Sequence, residues 1–122
     1  MIDFQKLKFS FGFAFEGVVH ALKFNQNLRI HFITAILVII ASVILHVNAF
    51  EKGILGIMIL LVISAEMINT AIEEMVDFVI NEHKREAKIA KDVSAGMVLL
   101  TAVGSVLVGI LIFTPYIMKL FK

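Results

Sequence analysis

Ser64-Ala65-Glu66-Met67-Ile68-Asn69-Thr70-Ala71-Ile72-Glu73-Glu74-Met75-Val76-Asp77 is the stretch that decides the fold of this chain. Before it, Gly53 to Ala65 carries no charge, and the helical pattern runs on through Glu66 to about Val79. At about 100° per residue, Asn69 lies about −60° from Glu66, Glu73 about −20° and Asp77 about +20°. Four polar groups therefore share an arc of about 80° on an otherwise apolar helix. An ionised carboxylate costs roughly 2.5–3.5 kcal/mol at the centre of a membrane helix and less near the interface. Solubility does not explain this arc, because Glu74 alone points elsewhere. Carboxylates and an amide are hard oxygen ligands suited to Mg²⁺, and they also serve as a general base or a proton relay. The plainer reading is that they satisfy one another inside a helix bundle. Four on one face weigh against it.

The rest of the chain sets that helix in a bilayer. Of 122 residues, 60% are hydrophobic and 17% charged, with a mean hydropathy of +0.97. A soluble domain averages about 45–50% apolar and about 25% charged, and a domain this small could not hide so much apolar surface from water. The 11 Phe exclude a disordered chain. A net charge of +1 gives no polybasic field for nucleic acid. Without Cys there is no disulfide framework and no thiolate chemistry. Phe32 opens the first long apolar run, well downstream of Lys6 and Lys8, so no signal peptide is expected.

One all-α membrane domain over residues 1–122 follows, with spans at about 30–48, 53–80 and 92–118. Pro115 is expected to kink or end the third span. Eight of the 11 Lys and Arg lie before the first span or between the second and third; Lys52, Lys119 and Lys122 lie on the other side. Positive loops stay in the cytoplasm, which places the N-terminus inside and the C-terminus outside. Residues 3–24 form a different helix. Phe4, Leu7, Phe11, Ala14, Phe15, Val18 and Leu22 share one face, while Phe9 and Phe13 intrude on the polar one. Such a stripe reads as a helix lying in the interface, or as a fourth helix packed on the bundle.

Ala90-Lys91-Asp92-Val93-Ser94-Ala95-Gly96 opens the third span. A lone Lys there is usually a snorkelling anchor, and a lone Asp a cap or a partner for the helix dipole. Both, however, sit at the depth of the acidic face, where a Lys can hold phosphate oxygens. His20, His31, His46 and His83 have no metal-ligand spacing and read as interface residues. There is no P-loop, no dinucleotide fingerprint and no Ser-His-Asp signature.

Glu66-x-x-Asn69-Thr70-Ala71-Ile72-Glu73-x-x-Val76-Asp77 followed by Ala90-Lys91-Asp92-x-x-Ala95-Gly96 resembles the signature of the small prokaryotic diacylglycerol kinases. That family includes the undecaprenol kinases of Gram-positive bacteria. Phe11-x-x-Ala14-Phe15-x-Gly17 and Asn27-Leu28-Arg29-Ile30-His31 are similar too, so the likeness covers essentially the whole chain. It implies a homotrimer in the bacterial plasma membrane that moves the γ-phosphate of MgATP to a lipid hydroxyl. It also implies roles: Glu66 as general base, Glu73 as metal ligand, and Asn69 and Ala14 as organisers of the site. Lys91, Asp92, Asp77 and Gly17 fall around the nucleotide. One position departs. The family's metal-binding Glu, four residues before the Arg of Arg-Ile-His, is Asn25 here. The resemblance implies a metal ligand at Asn25 too, since an amide oxygen can still coordinate Mg²⁺, with one less negative charge.

Two further functions fit the acidic face. A small proton- or ion-conducting protein would give flux dependent on Glu66 without nucleotide. A catalytically weakened relative with a scaffolding role is suggested by Asn25 alone. Neither requires Lys91 beside a metal-binding face. Diacylglycerol and undecaprenol both fit as the acceptor lipid.

Overall fold

A computed structural model describes residues 1–82 and 84–122. Four helices follow one another: α1 (Phe4–Phe24), α2 (Gln26–Ile44), α3 (Ala49–Val79) and α4 (Arg85–Leu120), with no strand among the described residues. The last three are long and apolar enough to cross a membrane. At about 1.5 Å per residue α2 measures roughly 28 Å, close to the hydrocarbon thickness, whereas α3 and α4 reach roughly 46 and 54 Å. The surplus length of α3 and α4 is enough to carry their charged ends past an apolar layer of that thickness. The two pack along each other, and α2 lies against α3. Ile33, Leu37, Ile40, Leu100 and Leu111 are exposed, as lipid-facing side chains are.

Helix boundaries follow from local chemistry. Asp3 caps α1, accepting from the backbone N–H groups of Gln5 and Lys6 at 3.1 Å. A single residue, Asn25, ends α1 and starts α2. Its N–H reaches Ala21 O at 2.9 Å and its Oδ1 accepts from Leu28 N at 3.0 Å. The Arg29 guanidinium closes the corner by donating to the last carbonyls of α1, Leu22 O and Lys23 O. Because the cap sits at Asn25, α2 begins ahead of the apolar run.

At its far end α2 stops in a Schellman arrangement. His46 takes a left-handed conformation (φ 55°), His46 N donates to Val43 O, and Val47 N donates to Ser42 O. This turn drops Val47 into a small core with Leu55 and Ile112. Asn48 then caps α3 by accepting from Glu51 N at 2.8 Å. The Tyr116 hydroxyl accepts from Asn48 N, tying the turn to α4. Pro115 does not end α4, which continues to Leu120. A proline removes one backbone bond, and membrane helices tolerate that loss. Residues 4–17 of α1 are exposed on every face, including Phe4, Phe9, Phe11, Phe13 and Phe15.

Candidate active site

Glu66 is the most deeply buried charged residue among those described, at 1% exposure. Burying a carboxylate is costly unless its oxygens find partners, and both do. Oε2 accepts from Asn25 Nδ2 at 2.9 Å, and Oε1 lies 3.3 Å from His31 Nε2. Asn25 is the cap that starts α2, and His31 stands in the second turn of that helix. One turn along α3, the Thr70 hydroxyl donates to the Glu66 carbonyl at 3.0 Å and accepts from Asn25 Nδ2 at 2.7 Å. Asn25 Nδ2 thereby bridges the Glu66 carboxylate and the Thr70 hydroxyl, tying α3 to the start of α2.

Asn69, also buried, forms the next link. Its Oδ1 accepts from Ser94 Oγ on α4 at 2.6 Å, and its Nδ2 faces Glu73 Oε1 at 3.4 Å. Further toward the helix end, Lys91 Nζ donates to Asp77 Oδ1 at 2.5 Å. That hydrogen bond is the main cause that raises the Lys91 pKa above its ordinary value; the charges of Asp77 and Glu73 reinforce it and desolvation opposes it. Asp92 points along α4 and accepts from Lys88 Nζ at 2.6 Å. The acidic face is therefore graded. Glu66 and Asn69 are buried at depth, and Glu73 and Asp77 are exposed near the end.

Three recesses surround this cluster. An apolar groove of about 540 Å³ runs between α2, α3 and α4 from His31 to Ile117. A polar recess of about 460 Å³ is lined by Asn25, Thr70, Glu73, Glu74 and Asp77. A third, of about 640 Å³, takes Asp77 on one wall and Lys84, Arg85, Lys88, Lys91 and Asp92 on the other. Glu66 lines none of them, but its partners do. His31 faces the groove, and Asn25 and Thr70 face the polar recess.

Of the residues singled out in the sequence, Glu66, Asn69, Glu73 and Asn25 come together, and Asp77, Lys91 and Asp92 share the basic recess. Ala14 and Gly17 do not join them; both are exposed on α1. Two histidines have carboxylate neighbours. His31 is a neighbour of Glu66, and His20 Nε2 lies 3.0 Å from Glu74 Oε1, which ties α1 to α3. Glu74 therefore has a partner and lines the recess with Glu73. His83 lies outside the described residues. Thr70 and Ser94 were missed as partners; both stand inside the quoted motifs, where a hydroxyl next to a buried polar residue is the usable signal.

The donor set also tests for a metal. Among the described residues no three His, Asp or Glu side chains converge. Mg²⁺ at a phosphoryl-transfer site typically takes one or two carboxylates and completes its octahedron with phosphate and water. Glu73, exposed beside Asp77 in the polar recess and with one oxygen only lightly held, fits that role.

Comparison with known proteins gives a consistent picture. Residues 12–113 match the family described as prokaryotic diacylglycerol kinase. A protein named diacylglycerol kinase from Synechocystis sp. is 40% identical over 112 residues, which cover 91% of this chain and 64% of that relative. The chain thus spans slightly under two thirds of its length. A protein named undecaprenol kinase from Bacillus subtilis is 36% identical over 106 residues, 87% of this chain and 86% of that relative. On the extent of the match and on both identities, the chain belongs to the prokaryotic diacylglycerol kinase family.

Proposed function

We propose that this protein is a membrane lipid kinase that transfers the γ-phosphate of MgATP to the hydroxyl of a lipid alcohol. The observation that carries this reading is the position of Glu66 between the apolar groove and the polar recess. A base there serves a reaction whose one substrate is apolar and whose other is charged. Family membership supports the same chemistry. The names of the two relatives support two acceptors, diacylglycerol and undecaprenol, which both present a hydroxyl at the interface.

Phosphoryl transfer is mostly positioning and charge neutralisation. Glu66 accepts the proton of the lipid hydroxyl as that oxygen bonds to the γ-phosphorus and the bond from phosphorus to the bridging oxygen breaks, releasing ADP. Lys91 swings from Asp77 to the phosphates and adds positive charge, with Lys88, Lys84 and Arg85 in the same recess. Asp77 and Asp92 orient those cations and the nucleoside. Glu73 is the residue that would hold Mg²⁺, and Asn69 Nδ2 faces Glu73 Oε1 and orients it. Bound there, Mg²⁺ supplies charge neutralisation on the phosphate oxygens. We assign α1 to the cytoplasmic interface, where Ala14 and Gly17 leave room for substrates. The N-terminus is cytoplasmic and the C-terminus outside, and the working unit is a homotrimer in the bacterial plasma membrane.

The test is label transfer from γ-labelled MgATP in mixed micelles, with diacylglycerol and undecaprenol offered separately. Labelled lipid in either arm supports the kinase, and the faster arm names the acceptor. No labelled lipid, together with Glu66-dependent ion flux across vesicles without nucleotide, favours conduction.

A further inference from the structure

Asn25 stands where the family resemblance leads one to expect a metal-binding carboxylate, yet every polar group it has is already engaged. Its N–H donates to Ala21 O at 2.9 Å, and its carbonyl accepts from Arg29 N at 3.3 Å. Its side-chain oxygen caps α2 through Leu28 N, and its NH₂ reaches Glu66 Oε2 and Thr70 Oγ1. The amide orientation is over-determined. Turned over, it would set a donor against the Leu28 N–H and an oxygen against the Glu66 carboxylate. The oxygen therefore faces the start of α2, and the NH₂ faces the buried acid.

We infer that Asn25 is a positioning residue for Glu66 rather than a metal ligand: it is the neutral donor that fixes the base's carboxylate between the apolar groove and the polar recess. This rests on the reading of Glu66 as the base of a lipid kinase. The physical case is one of charge. Glu66 is 1% exposed, so a second carboxylate at hydrogen-bond distance would leave two like charges in a poorly solvated site, whereas an amide stabilises the first without adding another. The joint is also stiff. Asn25 is the only residue between α1 and α2, and the same side chain that starts α2 grips α3. Orientation of this kind matters because misplacing a reacting group by about 1 Å can cost about 100-fold in rate.

Two substitutions separate a positioning residue from a ligand, and both keep a good helix cap at residue 25. Asn25→Asp replaces the donor with a carboxylate oxygen, and Asn25→Ser removes the amide Nδ2 and leaves a shorter hydroxyl side chain. The measurements on full-length protein in lipid micelles are kcat, KM for MgATP and for lipid, and Mn²⁺ binding by electron paramagnetic resonance without turnover. The expected result is a fall in kcat of about 10- to 100-fold in both variants. Both KM values stay unchanged, and Mn²⁺ binding by Asn25→Ser equals that of the wild type. Mn²⁺ binding weakened in Asn25→Ser, or wild-type kcat retained in Asn25→Asp, would overturn the inference. A swap provides a readout independent of turnover. Asn25→Asp combined with Glu66→Gln restores a donor–acceptor pair with reversed polarity, so the double variant should recover the unfolding midpoint that Asn25→Asp loses. Additive losses would also count against the inference. Wild-type protein that labels neither lipid would overturn the kinase reading itself, while a labelling wild type with an unimpaired Asn25→Asp would overturn the positioning role alone.

Discussion

Ser94 Oγ donates to Asn69 Oδ1 at 2.6 Å in the buried seam between α3 and α4, and this one hydrogen bond orients the amide whose other end faces Glu73. The acidic face is thereby held by a residue on a different helix. Removing the donor leaves a buried acceptor without a partner, which costs about 1–3 kcal/mol. Ser94→Ala should lower stability by that amount in a detergent-unfolding titration. It should also raise the Mg²⁺ concentration needed for half-maximal lipid phosphorylation, because Glu73 loses its support. An unchanged Mg²⁺ dependence would separate Asn69 from the metal site.

Lys91 connects α4 to Asp77 and is expected to lend its charge to phosphate. Its pKa is raised, chiefly by the Asp77 hydrogen bond, so the contact contributes below the ordinary lysine pKa and is lost only as pH rises through the higher folded value. From about pH 6 to about pH 9 the cation should therefore persist. Lys91→Met should raise KM for MgATP across that whole window, by a factor independent of pH. A factor that varied within the window would mean that Lys91 titrates there and that its tie to Asp77 is weaker than the geometry implies.

His46 occupies a left-handed position that suits glycine, since a side chain there costs roughly 1–2 kcal/mol. His46→Gly should raise stability by up to about 1 kcal/mol, the rest being offset by the greater freedom of glycine in the unfolded chain. Lipid phosphorylation should not change, because the turn lies at the far end of α2 from Glu66. Loss of stability would show that the imidazole makes a contact that outweighs the backbone strain.

Much of this arrangement was legible in the residues, for a reason specific to each element. The long apolar runs gave three membrane helices because a bilayer demands length and apolarity and little else. The Glu66-Asn69-Glu73-Asp77 face emerged because a helix has a fixed rotation per residue, and the gradient from buried Glu66 to exposed Asp77 follows the same axis. Asn25 and His31 were harder to place. Asn25 lies at a cap, outside the helical rotation, and its side chain turns back to α3. His31 meets Glu66 only through the packing of α2 on α3. Pro115 was expected to kink or end its helix, and it does not end it, since α4 runs on to Leu120. Interhelical contacts of these kinds leave no periodic trace in one chain.

The most direct test of the account is the initial rate of phosphate transfer from labelled MgATP to the better lipid acceptor, compared between wild type and Glu66→Gln at saturating nucleotide. Loss of a general base typically costs about 10²- to 10⁴-fold. The expected result is a fall of at least about 100-fold in kcat, with KM for MgATP little changed because Lys91 and Glu73 remain. A Glu66→Gln protein that keeps more than about a tenth of the wild-type rate would contradict the assignment of Glu66 as the base.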